Sequence, residues 1–240
     1  MKVTRFLVSL MFLSAISTSA FAQGAVSLVW DGCTGPINKQ IAPGTPPPGT
    51  AMWASVLGQR DMHKSYEVDV TLGSPGGLRD AWRFDAPGCQ GTPQIKYDFL
   101  SPAKSCPSFQ GAAASLQITN YSFDSATGKA RAVLANSYPS GSTPNEQIPT
   151  TRYFLARFNF DHTYSVNGPG TPGQTCGGLE VPVCAHITKA IWIDSAGLEH
   201  AFTVAQEYVT ANDPNNSSGC PGATATQAKT WGSVKSQYRN

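Results

Sequence analysis

The groups in this 240-residue chain that could carry chemistry are six cysteines, four histidines and fifteen carboxylates. The cysteines are Cys33, Cys89, Cys106, Cys176, Cys184 and Cys220. They contain neither a C-x-x-C redox pair nor the closely spaced knuckle of a zinc site. An even count in an exported chain favours three structural disulfides. Cys176 and Cys184 enclose "GGLEVPV", and Cys89 and Cys106 enclose one short strand-like run, so these two local pairs are favoured. Cys33 would then join Cys220 and tie the two ends of the chain together.

The histidines are His63, His162, His186 and His200, and none falls in an H-E-x-x-H pattern. Asp161 and His162 are neighbours, but adjacent strand residues point to opposite faces and would not couple on a straight strand. His200 shares parity with Phe202 and Val204, which places it at the half-buried mouth of a strand. A G-x-S-x-G elbow is absent, so no activated serine is indicated. Glycoside hydrolysis needs two carboxylates facing each other across a sugar ring. Glu67 with Asp69, or Glu199 with Glu207, would be the pairs to do it, although solvent-facing carboxylates on strands are ordinary.

Two binding chemistries have residues to serve them. "ANDPNNSSG" offers Asp213, Asn215, Asn216 and Ser217 as oxygen ligands for a hard cation, which makes calcium the metal expected if there is one. Such Asx-rich loops more often bond their own backbone. Of the five tryptophans, Trp82 and Trp192 lie within apolar alternations and read as core. Trp53, beside the Pro-rich stretch "APGTPPPGT", is the candidate for an exposed platform on which a carbohydrate could stack.

These residues must be positioned by strands. "YEVDVTL" alternates with Tyr66, Val68, Val70 and Leu72 on one face and Glu67, Asp69 and Thr71 on the other, the pattern of a half-buried antiparallel strand. "TRYFLARFNFDH" sets Phe154, Ala156, Phe158 and Phe160 on one face. "DAWRFDAPG" puts Trp82 and Phe84 inward. Further strands are read at "AVSLVW", "AMWASVL", "IKYDFL", "SLQITNYSF", "KARAVLANS", "HITKAIWID" and "EHAFTVAQEYV". In "SLQITNYSF" the apolar set changes parity between Ile118 and Tyr121, which predicts a bulge near Thr119 or Asn120. Asp124 with Gly128, and Asp194 with Gly197, are spaced for hairpin turns that need a left-handed glycine. The expected fold is all-β: one antiparallel β-sandwich, immunoglobulin-like or jelly-roll-like, with a short C-terminal helical segment.

Residues 1–22 read as a secretory signal, with Lys2 and Arg5 before an apolar run and Ala20-Phe21-Ala22 as the cleavage site. The two basic residues of that leader account for the formal net charge of +2, so residues 23–240 are formally neutral. A neutral chain without a basic cluster lacks the footprint of a nucleic-acid binder. The apolar run is too short for a membrane span, and no second candidate follows. Residues 23–211 form the expected sandwich domain, and residues 212–240 a flexible connector followed by a docking segment. In "TWGSVKSQYRN" Trp231, Val234 and Tyr238 recur on one helical face, too short a stretch to be stable without burying that face.

The stretches "VSLVWDGC", "ARFNFDHTYSV", "PVCAHITKAIWI" and "GCPGATATQAKTWGSVKSQYR" resemble a group of uncharacterised secreted bacterial proteins that share the terminal motif. That resemblance implies export and a β-rich fold and lends no activity. More loosely, the strand pattern is similar to immunoglobulin-like and cohesin-like sandwiches, and fold does not fix function. The functional expectation is a secreted, disulfide-bridged, non-catalytic binding or surface-structural module whose partner is a carbohydrate or another surface protein. The alternative is a secreted hydrolase using strand-borne carboxylates.

Overall fold

The computed structural model describes residues 24–43, 49–58, 63–86, 88–91, 95–96, 106–109, 116–137, 147–213 and 220. The signal segment, Asn215, Asn216 and the terminal Trp231, Val234 and Tyr238 lie outside the described residues.

Two sheets face each other. One has the order β11-β1-β3-β8-β5, built from Thr203–Gln206, Ala25–Trp30, Gly49–Leu57, Arg152–Asp161 and Ile95–Lys96. The other runs β2-β12-β9-β4-β7-β6, from Asn38–Lys39, Tyr208–Ala211, Val183–Asp194, His63–Gly73, Lys129–Ser137 and Leu116–Asp124, with β10 (Glu199–Ala201) against β9. Most pairings are antiparallel; β1 with β11 and β2 with β12 are parallel. The chain is an all-β sandwich. "EHAFTVAQEYV" is not one strand: it contributes β10 to the larger sheet, crosses at buried Phe202 to give β11 to the smaller one, and returns as β12.

Alternation explains which side chains fill the core. Tyr66, Val68, Val70 and Leu72 of β4 all face inward and are buried, as do Ala130, Ala132 and Leu134 of β7. Val26, Leu28 and Trp30 of β1 meet them from the smaller sheet. Three polar groups in this apolar interior find backbone acceptors, as buried donors must. Tyr66 Oη donates to Leu155 O (2.9 Å), Trp30 Nε1 to Thr210 O (2.9 Å) and Trp82 Nε1 to Gly178 O (3.3 Å). Trp82 closes a short 3-10 turn, Asp80–Trp82, rather than sitting on a strand.

The bulges fall elsewhere than the apolar pattern suggests. β6 pairs β7 in unbroken register from Leu116 to Asp124, so there is no bulge at Thr119 or Asn120. One lies in β8, where Ala54 faces Ala156 but Ser55 faces Phe154, leaving Leu155 as the extra residue. Leu155 and Tyr153 therefore turn inward with Ala156, Phe158 and Phe160, and Phe154 points out of the sandwich. Another lies in β9, where Thr188 is skipped and Thr188 and Lys189 are both exposed. Both expected hairpins form: Gly128 has φ 65° with its N–H on Asp124 O at 2.8 Å, and Gly197 has φ 87° with its N–H on Asp194 O at 3.1 Å.

The chain is cross-linked as Cys33–Cys106, Cys89–Cys176 and Cys184–Cys220. The local pairs Cys89 with Cys106 and Cys176 with Cys184 do not occur, nor does Cys33 with Cys220. Proximity in sequence misleads here because Cys89 and Cys176 lie on loops that the two sheets bring together from 87 residues apart.

Candidate functional site

The outer face of the smaller sheet carries a groove of about 490 Å³ between Asp31, at the end of β1, and Asp161, at the end of β8. Its floor is the start of β3. Met52, Ala54 and Val56 point into the core, so Ala51 and Trp53 face the groove side. Gly49 leaves room there, since a Cβ at that position would lie 3.1 Å from Phe160 O.

Asp31 stands at φ 61°, a left-handed conformation that Asp tolerates better than most residues. Three contacts hold it: its N–H donates to Ala51 O (2.8 Å), Lys39 Nζ donates to Oδ2 (2.5 Å) and Thr50 Oγ1 donates to Oδ1 (3.1 Å). Across the groove, Asp161 Oδ1 accepts from Thr163 N (2.9 Å) and Thr163 Oγ1 (2.6 Å). Those bonds, the side-chain one foremost, hold the Asp161 carboxyl below the usual carboxylate range. Its backbone is clamped by Gln90: Asp161 N donates to Oε1 (2.8 Å), and Nε2 donates to Asp161 O and Ala81 O (2.9 Å each). Gln90 is 1% exposed, and nothing in its sequence setting separates it from a surface glutamine. Asn159 and Thr163 complete the polar wall.

Trp53 belongs to this groove but is 6% exposed, not the open platform its Pro-rich neighbourhood suggests. Val29, Cys33 and outward-turned Phe154 form a second apolar cluster with it, and Cys106 packs against them. Trp53 meets Phe154 edge to face at 5.1 Å, and the Arg157 guanidinium lies 5.8 Å from its ring centre. The disulfide loop thus covers the ring. Trp53 Nε1 is left buried without a hydrogen-bond partner among the described residues.

The other candidates separate. His162 is 4% exposed, packed between Phe160, stacked on it at 6.3 Å, and Trp82 at 5.7 Å, and neither ring nitrogen hydrogen-bonds solvent-facing Asp161, which acts on it through its charge alone. His200 is half-buried, stacked on Trp192 at 4.2 Å with Nε2 2.9 Å from Asp194 Oδ2. His186 pairs with Glu207 at 2.7 Å. Glu67 is bound by Lys189 at 2.8 Å, buried Asp69 by Arg131, and Glu199 lies 3.9 Å from Lys189. Each proposed carboxylate is thus tied to a cation or a histidine, and neither proposed pair faces a shared cleft. Asp213 is buried at 2%, with its carbonyl accepting from Asn38 Nδ2 at 2.7 Å. Among the described residues, no three His, Cys, Asp or Glu side chains converge to hold a metal ion. No helix among them is long and apolar enough to cross a membrane.

The Asp161 carboxyl, held below the usual carboxylate range, accepts hydrogen bonds strongly, and the Asn159 amide both donates and accepts. The groove therefore suits a neutral molecule rich in hydroxyl groups.

No protein-family model matches the chain, and no curated protein matches it. Solved structures similar in fold include a cohesin module from a family 33 glycoside hydrolase of Clostridium perfringens, at 12% identity over 80% of this chain and 98% of that one, TM-score 0.38. A type II cohesin domain from the cellulosome of Acetivibrio cellulolyticus matches at 9% identity over 79% and 95%, TM-score 0.39. A type III cohesin module from the cell-surface anchoring scaffoldin of Ruminococcus flavefaciens matches at 12% over 81% and 90%, TM-score 0.37. What these share with the chain is a β-sandwich outline.

Proposed function

We propose that the protein is an exported, non-catalytic binding module that takes a carbohydrate or similar polyol in the groove between Asp31 and Asp161. The observation that carries this reading is the groove itself, walled by the polar side chains of Asp31, Thr50, Asn159, Asp161 and Thr163 over the start of β3. A hydroxyl-rich ligand meets acceptors on both walls, and its apolar ring face meets the aromatic and backbone floor. The leader-like residues 1–22 and the three disulfides support export, since such bridges persist in oxidising compartments. The hydrolase alternative is weakened by the same geometry. The Asp161 carboxyl is held below the usual carboxylate range, the opposite of what the proton donor of glycoside cleavage requires, and Asp31 is bonded to Lys39 and Thr50.

The test is a glycan array followed by calorimetry on the retained sugars, with Asp161→Ala and Trp53→Phe alongside the native chain. Loss of a hydrogen bond to a charged group is expected to weaken binding by about ten-fold or more in Asp161→Ala. An array without retained glycans, or an affinity that Asp161→Ala leaves unchanged, would overturn the reading. Turnover of model glycosides would favour the hydrolase.

A further inference from the structure

The outer face of the larger sheet carries a second depression, of about 240 Å³, over β4, β7 and β9. Its shape follows from side-chain size. The outward rows run Ala135, Glu67, Ile191 and, one step along, Ser137, Ser65, Ile193, Glu199. Small residues on β4 and β7 beside two half-buried isoleucines on β9 leave a trough, and Glu67 and Glu199 rim it around Lys189.

The same face receives the Cys184–Cys220 bridge. Val183, Ala185 and Ile187 point into the core, so Cys184 points outward, and its Cα lies 5.4 Å from that of Cys220. Residue 220 is therefore fixed at one end of the face, and residues 221–240 depart from it. From Cys184 to Ile191 is about 20 Å along a strand. The ten residues 221–230 can span roughly 33 Å when extended, which brings residue 231 within reach of the trough. The chain beyond offers what the trough lacks: Trp231, Val234 and Tyr238 at one helical spacing, with Lys229, Lys235 and Arg239 to meet the two glutamates.

We infer that the terminal segment 230–240 docks in cis on this trough, Trp231 and Tyr238 covering Ile191 and Ile193 while the basic residues face Glu67 and Glu199. The tether raises the effective concentration of the segment at its own face far above that of a separate partner. A second copy and an unrelated protein are the competing occupants.

Limited trypsin digestion of the full oxidised chain reads the docking directly, because cleavage after Lys229, Lys235 and Arg239 requires a free segment. Ala135→Trp fills the trough, and Glu199→Lys, in an exposed hairpin, inverts its rim without touching the core. Docking in cis is expected to slow cleavage about ten-fold relative to either variant, independent of protein concentration. Equal cleavage rates in the native chain and Glu199→Lys would overturn the inference, whatever Ala135→Trp does to folding. Protection that grows with concentration alongside a dimer in sedimentation would assign the trough to a second copy and overturn it too.

Discussion

His162 shows how far one side chain can depart from its sequence setting. It neighbours Asp161 but is turned into an aromatic slot between Trp82 and Phe160, with neither ring nitrogen bonded among the described residues. Burial lowers its pKa to about 4, from an ordinary value of 6.5. The unfolded chain therefore takes up a proton between those values that the folded chain refuses. Stability is full above pH 6.5 and falls as the pH drops toward 4, by up to about 3 kcal/mol from this group. The depressed carboxyls of Asp124, Asp161 and Asp194 act in the same direction: the stability they contribute is present above their unfolded pKa and is lost as the pH falls through their folded one. His162→Phe isolates the histidine. Thermal melts from pH 7 to 4 are expected to slope distinctly less in the variant; parallel slopes would mean that His162 does not supply the acid sensitivity.

At the scale of elements, the two hairpins separate backbone conformation from packing. Gly197 has φ 87° and open space where a Cβ would stand, whereas Gly128 has φ 65° and its Cβ would fall 2.6 Å from Gly77 Cα. Gly197→Ala should therefore lose only about 1 kcal/mol, the left-handed penalty. Gly128→Ala should lose that and more, about 3 kcal/mol, because a neighbouring backbone must move. Urea midpoints compare the two, and equal losses would show that the Gly77 contact relaxes freely. These turns are legible in sequence because Asp and Gly act within four residues. The β4 strand is legible for the same reason, since one face of Tyr66, Val68, Val70 and Leu72 needs only period two. What local pattern misses is set by partners. Phe154 shares parity with Ala156 and Phe158, yet the slip at Leu155 against β3 turns it outward. That slip in turn supplies the ring against which Trp53 packs, so the groove's floor cannot be read from Trp53's own neighbours. Asp31 and Asp161 look in sequence like ordinary strand-end carboxylates; only the pairing of β1 and β8 to either side of β3 makes them opposite walls.

The whole molecule is stapled at sites that serve different faces, and this allows stability and binding to be separated. Cys33–Cys106 closes 73 residues and lies against Trp53 and Phe154 behind the groove. Cys184–Cys220 closes 36 residues and fixes residue 220 beside β9 of the opposite sheet. In the chain-entropy account the two bridges contribute nearly alike, each about 4 kcal/mol as an upper figure, because the dependence on loop length is logarithmic. Replacing either pair by alanine should therefore lower the denaturation midpoint by similar amounts. Their functional consequences should diverge. Removing Cys33 and Cys106 uncovers the indole and frees its ring, so affinity in the groove is expected to fall along with stability. Removing Cys184 and Cys220 releases the tether but leaves Asp31, Trp53 and Asp161 in place, so groove affinity should hold while trypsin cuts the terminal segment faster. Measured well below each variant's midpoint, calorimetry and digestion give the two readouts independently. If the Cys33–Cys106 variant binds as tightly as the native chain, the covered position of Trp53 has no part in recognition, and the groove must act through its polar walls alone.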